Sequence, residues 1–290
     1  MGLKKKMNFF FRFNLDEGKN YGIGHAIRIL NIYNELKNKK YKFFFVINDS
    51  SFAINFLIKN KISDKIIIKG PNELLNKYFL FNNSKNILIF DTLGCDKNLI
   101  SKVKLLSKNI KIISLEDIIN FKKSDLTINS KLSTKLYLNR KIANKFNVLQ
   151  GSKYMILEKK LFLNRKKKFL TKKNNYKLLI CTGGGDFRSL NKKIANILCE
   201  EPKYNLSFLI GPGVKENNPI HKISYKYSKN IKLIINTNNI KRAMLSNDLI
   251  LTTGGTTMFE AMCLGKPVIS IESFAHQRSI IKFYEKKNQK

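Results

Sequence analysis

The sequence contains no tryptophan, few prolines and four cysteines, and it has far fewer acidic than basic residues. The cysteines are far apart and form no Cys-x-x-Cys pair, which argues against a zinc site and, in a chain of 290 residues, against a disulfide framework. Cys181 and Cys263 lie in apolar segments, where free thiols are usually buried. We therefore expect a reducing, cytoplasmic environment.

Long hydrophobic runs are also missing. No segment has the length of a membrane-spanning helix, and the N-terminal lysines are not followed by the apolar region of a signal peptide. The sequence therefore predicts a protein without stable membrane insertion, and nothing in it indicates an oligomeric state.

The chain is strongly basic, with 55 lysines and arginines against 20 acidic residues and a formal net charge of +35. Nearly all of the excess is lysine and is scattered along the chain, whereas base and phosphate recognition favours arginine. We therefore predict no nucleic-acid partner. The charge is still expected to attract an anionic substrate or an anionic membrane surface at low salt.

Short apolar runs alternate with helical patterns, which predicts parallel sheets with right-handed crossovers. The lysine-rich segment 157–175 interrupts this pattern and is typical of a linker, and the pattern restarts at Tyr176. The predicted fold class is α/β, with two doubly wound, Rossmann-like parallel-sheet lobes over residues 1–156 and 176–290. Such lobes are expected to face a cleft at the carboxyl ends of their strands, where ligands bind.

The segment 249–271 has the most informative pattern: strand, glycine turn, helix and strand. Gly254 and Gly255 allow a sharp turn, and Thr256 or Thr257 is expected to cap the helix that follows. A helix N-terminus behind two glycines suits a phosphate group. Glu260 lies about one turn into the helix and is expected to reach a sugar hydroxyl of the same ligand.

A second glycine turn, from Gly183 to Asp186, follows an apolar strand in the same lobe. Neither turn continues into the Gly-Lys-Ser/Thr of a Walker A motif, and neither has the full Gly-x-Gly-x-x-Gly dinucleotide fingerprint. No carboxylate pair has metal-binding spacing. These features favour a ligand with two phosphates, or a phosphate and a sugar, bound without a metal or cofactor.

In the N-terminal lobe, Gly22 and Gly24 precede His25 at the start of a predicted helix. His25 should therefore face the cleft, and a helix N-terminus disfavours its positively charged form, so that the neutral ring can accept a proton. The alternative is a structural histidine near the helix cap. His276 follows the last apolar strand and is a second candidate to face the ligand.

Several motifs occur in a fixed order along the chain: Gly24-His25 with Arg28, the strand-end Asp91, Ser114-Leu-Glu-Asp117, Gly183-Gly184 with Asp186, Gly254-Gly255-Thr256 with Glu260, and Ala275-His-Gln277. From about Phe9 to Gln277, this order resembles the UDP-2,4-diacetamido-2,4,6-trideoxy-β-L-altropyranose hydrolases of pseudaminic acid biosynthesis. In its C-terminal lobe, that family is similar to the peptidoglycan GlcNAc transferase.

The resemblance implies a GT-B fold with UDP held by the C-terminal lobe. Glu260 would contact the ribose, and the amides around Gly255 and Thr256 would contact the diphosphate. His25 would activate water for attack on the anomeric carbon with inversion. The motifs and the resemblance together give His25 and Asp91 as candidate catalytic residues. The candidate substrate- or nucleotide-binding residues are Gly22, Gly24, Arg28, Tyr154, Gly183, Gly184, Asp186, Gly254, Gly255, Thr256, Thr257, Glu260, His276 and Gln277.

The sequence departs from the family pattern where the sugar is expected to bind. Thr92 and Leu93 stand where the family usually has histidine and tyrosine after the strand-end aspartate. Glu158 follows Tyr154 where an arginine is usual, and His276 replaces an asparagine. We therefore favour a nucleotide-sugar hydrolase, with a GT-B glycosyltransferase using a UDP-sugar donor as the alternative. A non-catalytic basic binding protein is the third hypothesis.

Overall fold

The computed structural model divides the chain into two compact units, Met1–Asp16 with His25–Ile156, and Glu17–Gly24 with Leu157–Lys290. Each unit is a parallel sheet covered by helices. The structure describes residues 7–15, 23–62, 66–69, 72–74, 85–92, 97–106, 109–116, 121–130, 138–163, 174–186, 188–235, 237 and 239–288.

The first unit contains a seven-stranded parallel sheet of order β3-β2-β1-β4-β5-β6-β7. Its strands are β1 (Met7–Phe13), β2 (Lys42–Ile47), β3 (Ile66–Lys69), β4 (Lys85–Asp91), β5 (Ile110–Leu115), β6 (Leu126–Asn129) and β7 (Val148–Gln150). Its helices include α1 (Gly24–Leu36), α2 (Ser51–Lys59), α3 (Lys97–Leu106) and α4 (Arg140–Lys145), with 3-10 turns at Phe121–Lys123 and Ser152–Tyr154.

The phenylalanine-rich strand β1 forms the centre of this sheet because both of its faces are buried. Phe10 and Phe11 on opposite faces are 3% and 0% exposed. The Phe10 ring stacks on Phe44 of β2 at 4.6 Å between centroids, and Phe11 packs against Phe45 at 5.4 Å. A strand that is buried on both faces typically has a nearly continuous apolar sequence, as β1 has in Phe9–Phe11.

The strand order reverses direction between β1 and β4, which defines the switch point of the first unit. These two strands pair in parallel, with Phe13 at the end of β1 opposite Asp91 at the end of β4. Connections from neighbouring strands leave toward opposite faces at such a point and open a crevice at the carboxyl edge. Asp91 therefore lies where a ligand site is expected.

The second unit contains a five-stranded parallel sheet of order β10-β9-β8-β11-β12, with its switch point between β8 and β11. Its strands are β8 (Tyr176–Cys181), β9 (Tyr204–Ile210), β10 (Ile231–Ile235), β11 (Leu249–Thr253) and β12 (Val268–Ile271). Its helices include α5 (Lys159–Phe162), α6 (Leu190–Leu198), α7 (Ile220–Lys226), α8 (Ile240–Leu245), α9 (Thr256–Cys263) and α10 (Ala275–Asn288).

Each unit confirms the predicted doubly wound, Rossmann-like parallel sheet. Part of the segment predicted as a linker is structured. Helix α5 lies within it, and Leu161, which is 3% exposed, packs into the core of the second unit. Residues 164–173 of that segment are outside the described residues. Ile23 and Gly24 group with the second unit, although the sequence pattern assigned them to the N-terminal lobe.

Candidate functional site

The switch point of the first unit brings together His25, Arg28 and Asp91. His25 and Arg28 lie one turn apart on α1, and Asp91 ends β4. His25 Nδ1 is 2.6 Å from Asp91 Oδ1. Arg28 donates through Nε to Oδ2 at 2.7 Å and through Nη2 to Oδ1 at 2.6 Å. This bidentate pairing fixes the plane of the carboxylate, and the carboxylate in turn fixes the orientation of the imidazole.

The hydrogen-bond network assigns the proton of neutral His25 to Nδ1. An ionised carboxylate only accepts hydrogen bonds, so the short contact with Asp91 requires an N–H at Nδ1. Arg28 Nη2 is also 3.1 Å from Nδ1, but two donors cannot bond one another, so Arg28 acts through Asp91. Nε2 of His25 consequently keeps its lone pair, as a general base requires.

Asp91 is ionised and fully buried. Burial by itself raises the pKa of this carboxyl, but Arg28, His25 and their hydrogen bonds outweigh burial and lower the pKa to about 2. Burial likewise lowers the pKa of Arg28, whereas Asp91 and then Glu116 act in the opposite direction, and the net pKa is raised. The side chain of His25 is 13% exposed, so a small part of the ring remains accessible.

Several buried polar atoms around this group have no hydrogen-bond partner in the described part of the chain. They are Arg28 Nη1, Asn14 Oδ1 and Thr92 Oγ1. Asn14 directly follows β1 and Thr92 directly follows Asp91, so these residues flank the switch point. Buried polar atoms are nearly always hydrogen-bonded, and unsatisfied ones at a strand-end crevice favour a polar ligand there.

In the second unit, the Gly254–Gly255 turn leads into α9 with no side-chain cap. The prediction that Thr256 or Thr257 caps this helix is wrong, because Gly255 is the N-cap residue and Thr256 is already helical. The buried Thr256 Oγ1 has no partner among the described residues. First-turn amides have no partner within a helix, so these donors and the positive end of the helix dipole suit an anion.

The two glycines of this turn differ in their surroundings. A Cβ on Gly254 would lie 2.9 Å from Ile281 and 3.0 Å from Gln277, so Gly254 is required for close packing against α10. A Cβ on Gly255 would come no closer than 3.7 Å to any described atom, namely Thr253 Oγ1. Gly255 is therefore the position where a ligand can approach the backbone.

Gln277 holds the start of α10 beside this turn. Its Oε1 accepts hydrogen bonds from the backbone N–H groups of Ser273 at 2.9 Å and Phe274 at 3.3 Å, as in a capping box. Its Nε2 would be 4.0 Å from a Cβ on Gly255. Gln277 thus positions a side-chain donor near the open end of α9.

The Gly183–Asp186 turn is closed by its own carboxylate. Asp186 is 5% exposed, and it accepts the backbone N–H of Asn191 at 3.1 Å and the amide of Asn218 at 3.3 Å. A Cβ on Gly184 would collide with Ile23 at 2.5 Å. These contacts give Asp186 and Gly184 structural roles, and a carboxylate at the start of α6 disfavours a phosphate there.

The remaining candidates lie elsewhere in the two units. Glu260 lies in α9 and is 9% exposed. Burial, with a smaller contribution from the charge of Glu260, raises the pKa of the Cys181 thiol to about 11. Thr257 lies in the first turn of α9. Tyr154 follows β7, the edge strand of the first sheet, where Lys153 Nζ lies 4.8 Å from its ring centroid. Gly22 and the side chain of His276 are outside the described residues.

Gly24 and Gly183 complete the predicted set. Gly24 groups with the second unit, and a Cβ added at this position would lie 3.3 Å from Thr256 Oγ1. Gly183 has a φ of +99°, a conformation that favours glycine, which explains the residue type at the start of its turn.

Within the described ranges, no helix combines the length and apolar character needed to cross a membrane. The same residues contain no group of three or more His, Cys, Asp or Glu side chains placed to hold a metal ion. The first unit contains one candidate, a charged side-chain group, and the second unit contains another, an uncapped helix N-terminus.

Comparison with known proteins defines the class. Residues 161–279 match the glycosyltransferase family 28 C-terminal domain. MurG of Acinetobacter baumannii has a similar fold, with a TM-score of 0.64 over 97% of this chain and 84% of that chain at 11% identity. The protein has a GT-B fold, and most of its second unit is similar to a glycosyltransferase domain.

Its curated relatives cover most of the chain. It is 30% identical to the uncharacterised protein MJ1062 of Methanocaldococcus jannaschii, over 93% of this chain but only 57% of that protein. It is 24% identical to the spore coat polysaccharide biosynthesis protein SpsG of Bacillus subtilis, over 93% and 79% of the two chains. It is 25% identical to the UDP-2,4-diacetamido-2,4,6-trideoxy-β-L-altropyranose hydrolase of Campylobacter jejuni, over 95% and 96%.

Proposed function

We propose that the protein hydrolyses a UDP-linked 2,4-diacetamido-trideoxy sugar with inversion, in the biosynthesis of a surface polysaccharide or of a pseudaminic-type acid. The observation that carries the proposal is the ordered His25–Asp91–Arg28 group, which leaves Nε2 of His25 free to accept a proton. The similarity to the Campylobacter hydrolase over nearly the full length of both chains supports the choice of reaction.

In the proposed reaction, Nε2 of His25 takes a proton from water while the water oxygen bonds to the anomeric carbon. The bond between that carbon and the diphosphate oxygen breaks, and UDP leaves with the electron pair. Asp91 does not take the proton, because it remains ionised and stabilises the imidazolium that forms. Arg28 is a positioning residue for Asp91.

We assign the diphosphate to the uncapped start of α9. The open backbone at Gly255, the free hydroxyl of Thr256 and the amide of Gln277 are suited to bind its oxygens. The Gly183–Asp186 turn is less suited, because Asp186 already occupies the start of α6. The contact between Glu260 and the ribose of UDP remains a prediction of this proposal.

We assign the sugar to the polar atoms beside His25. Arg28 Nη1 can donate to an acetamido carbonyl, Thr92 Oγ1 can donate or accept, and Asn14 Oδ1 can accept from an N–H or hydroxyl. Tyr154, Gly22 and His276 remain predicted contacts. A cytoplasmic location and the absence of a nucleic-acid partner also remain predictions.

A transferase is the second candidate, because the matched family is named for glycosyl transfer. The two activities differ in whether UDP is released without an acceptor. The test is to incubate the protein with UDP-linked diacetamido sugars alone and to measure UDP. Release without acceptor supports hydrolysis, whereas release that requires a lipid or glycan acceptor contradicts it.

The variant His25→Ala tests the base in the same assay. We expect turnover to fall about 1,000-fold or more, while UDP affinity measured by calorimetry stays unchanged. His221→Ala is the matched control, since His221 lies on α7 of the second unit. Intact turnover in His25→Ala would rule out the proposed base.

A further inference from the structure

Helix α3 of the first unit ends on two leucines that the protein does not bury. Leu105 is 85% exposed and Leu106 is 55% exposed. The apolar side chains earlier in the helix lie in the core and are at most 2% exposed, namely Leu99, Ile100 and Val103. Leu105 and Leu106 therefore contribute little to the core, and two adjacent apolar side chains in water indicate a surface that binds a partner.

Exposed lysines lie on both sides of these leucines. Lys102 precedes Leu105 and Leu106 by three and four residues, so it lies on the same face of α3. Lys123 donates to the hydroxyl of Ser101 at 3.2 Å. Since Ser101 lies one turn before Leu105, this contact brings a second ammonium group to the exposed face of the helix.

Two further lysines meet at a single carboxylate next to this helix. Lys104 of α3 and Lys111 of β5 lie 3.9 and 3.1 Å from the carboxylate of Asp125. This contact joins the start of β5 to the end of α3 and leaves an excess of positive charge. We call the resulting surface the amino-edge patch, and it consists of Lys102, Lys104, Leu105, Leu106, Lys111 and Lys123.

The amino-edge patch lies at the end of the first sheet opposite Asp91. Strand β5 begins four residues after α3 ends, and Lys111 is its second residue. A crossover helix runs antiparallel to the strands of a parallel sheet, so the C-terminus of α3 lies at their amino ends. Asp91 ends β4 at the carboxyl edge. Variants in the patch should therefore leave the His25 group intact.

The chemistry of the patch favours an anionic membrane surface as its partner. Lysine side chains attract anionic headgroups, and apolar side chains beside them add a contact with the acyl chains, so that two weak signals combine. A second copy of the same patch would be repelled, because both copies are positively charged. Nucleic acids are bound largely by arginine and by aromatic stacking, and neither residue type occurs among the six residues of the patch.

We propose that the amino-edge patch docks the first unit on an anionic membrane surface, with Leu105 and Leu106 at the boundary of the acyl chains and the four lysines among the headgroups. The inference goes beyond the proposed function, which requires no membrane. Docking is measured without a UDP-sugar, so its failure leaves the proposed function standing, and the absence of hydrolysis leaves the docking surface standing.

A tryptophan reporter tests the docking directly. The chain contains no tryptophan, so Leu105→Trp has a single indole, which lies within the patch. With vesicles of equal parts phosphatidylglycerol and phosphatidylcholine, its emission should shift to the blue and be quenched by brominated acyl chains. Ile197→Trp is the matched control, because Ile197 on α6 of the second unit is 71% exposed and should stay in water. Equal responses of the two variants, or no response of Leu105→Trp, would overturn the proposal.

A second pair of variants separates the patch from the net charge of the chain, which is +35 and attracts any anionic vesicle. Leu105→Asp and Ile197→Asp change this charge equally. In co-sedimentation with the same vesicles, we expect Leu105→Asp to bind about ten-fold more weakly or worse, and Ile197→Asp to stay within about two-fold. Equal affinities would contradict the patch. Both leucine and isoleucine are exposed, so circular dichroism should show that both variants fold.

The lysines are tested in the same way. Lys102→Glu with Lys123→Glu should weaken vesicle binding about ten-fold or more. Lys192→Glu with Lys193→Glu is the control, since these exposed lysines of α6 give the same change in charge. A control that loses as much affinity as the patch variant would show that the location of the lysines is irrelevant, and the proposal would fail.

Binding to a DNA duplex distinguishes a membrane from an anionic polymer. Leu105→Ser changes no charge, so it should weaken vesicle binding about five-fold and leave DNA binding unchanged. If Leu105→Ser weakens the binding of DNA as much as that of vesicles, or weakens neither, the assignment of the patch to a membrane surface is wrong.

Discussion

The two units have sheets with the same central strand order but carry different chemistry at their switch points. In the first unit, the switch point contains a hydrogen-bonded group of charged side chains, in which Asp91 bonds to both His25 and Arg28. In the second unit, the turn after β11 presents glycine backbone and the hydroxyl of Thr256. A shared fold thus positions a group of charged side chains in one unit and an uncapped helix N-terminus, which suits an anion, in the other.

The same contrast exists inside the second unit, between its two glycine turns. The carboxylate of Asp186 accepts the Asn191 N–H in the first turn of α6, whereas no side-chain hydrogen bond caps α9. Similar sequence patterns therefore differ in their capacity for an anion. The comparison predicts that catalytic variants belong to the first unit and nucleotide-affinity variants to the start of α9.

The largest effect is expected for Asp91→Asn. The amide no longer holds Nδ1–H with a full negative charge, so the imidazole loses its fixed tautomer and the stabilisation of its protonated form. We expect turnover to fall about 1,000- to 10,000-fold. UDP affinity, measured by calorimetry, should stay within about two-fold, and a large loss of affinity would contradict the separation of roles between the units.

Arg28→Leu should have the next largest effect, on stability. It leaves the carboxylate of Asp91 buried without its main partner, and such a loss costs about 3–5 kcal/mol in the free energy of unfolding. Urea denaturation followed by circular dichroism measures it. The double variant Arg28→Leu with Asp91→Leu should recover part of the loss, and no recovery would argue against an isolated buried charge as the cause.

The ion pair between Arg28 and Asp91 should make the free energy of unfolding depend on pH. The folded-state pKa of Asp91 is lowered from 3.8 to about 2, so its contribution is present above pH 4 and is lost as pH falls through 2. The contribution is about 2 kcal/mol. Unfolding free energies measured between pH 5 and 2 should fall less steeply in Asp91→Asn than in the wild type, and equal slopes would contradict the shift.

The smallest effects are expected for a pair of adjacent glycine variants. Gly254→Ala should lower the unfolding free energy by about 1–3 kcal/mol, since its Cβ meets Ile281 and Gln277. Gly255→Ala has room and an ordinary φ of −99°, so stability should stay within about 0.5 kcal/mol. UDP affinity should instead fall about ten-fold in Gly255→Ala, and unchanged affinity would remove the diphosphate from this turn.

Sequence patterns predicted the two doubly wound sheets and placed His25 at the start of a helix, because strand and helix periodicity and glycine turns are local properties. They did not predict the capping of the helices. Thr256 or Thr257 was expected to cap α9 from residue type, yet Gly255 occupies the N-cap position. Asp186 was expected at a ligand, yet both of its oxygens have protein partners.

The tertiary structure added partners that are distant in sequence. Arg28 was a candidate binding residue from the motif resemblance, but its burial and its bond to Asp91, 63 residues away, were not predicted. A charged side chain can be buried only where a counter-charge pairs with it, and folding brings that counter-charge from a distant part of the chain.

The order of strands, glycine turns and helices along this chain was determined by the sequence itself, because hydrophobic spacing and backbone freedom act over a few residues. The tertiary structure decided which glycine turn stays open and which side chains carry charge into the core. Those outcomes depend on long-range pairing and close packing between strands and helices, where free energies of a few kcal/mol arise from contacts that sequence neighbours do not share.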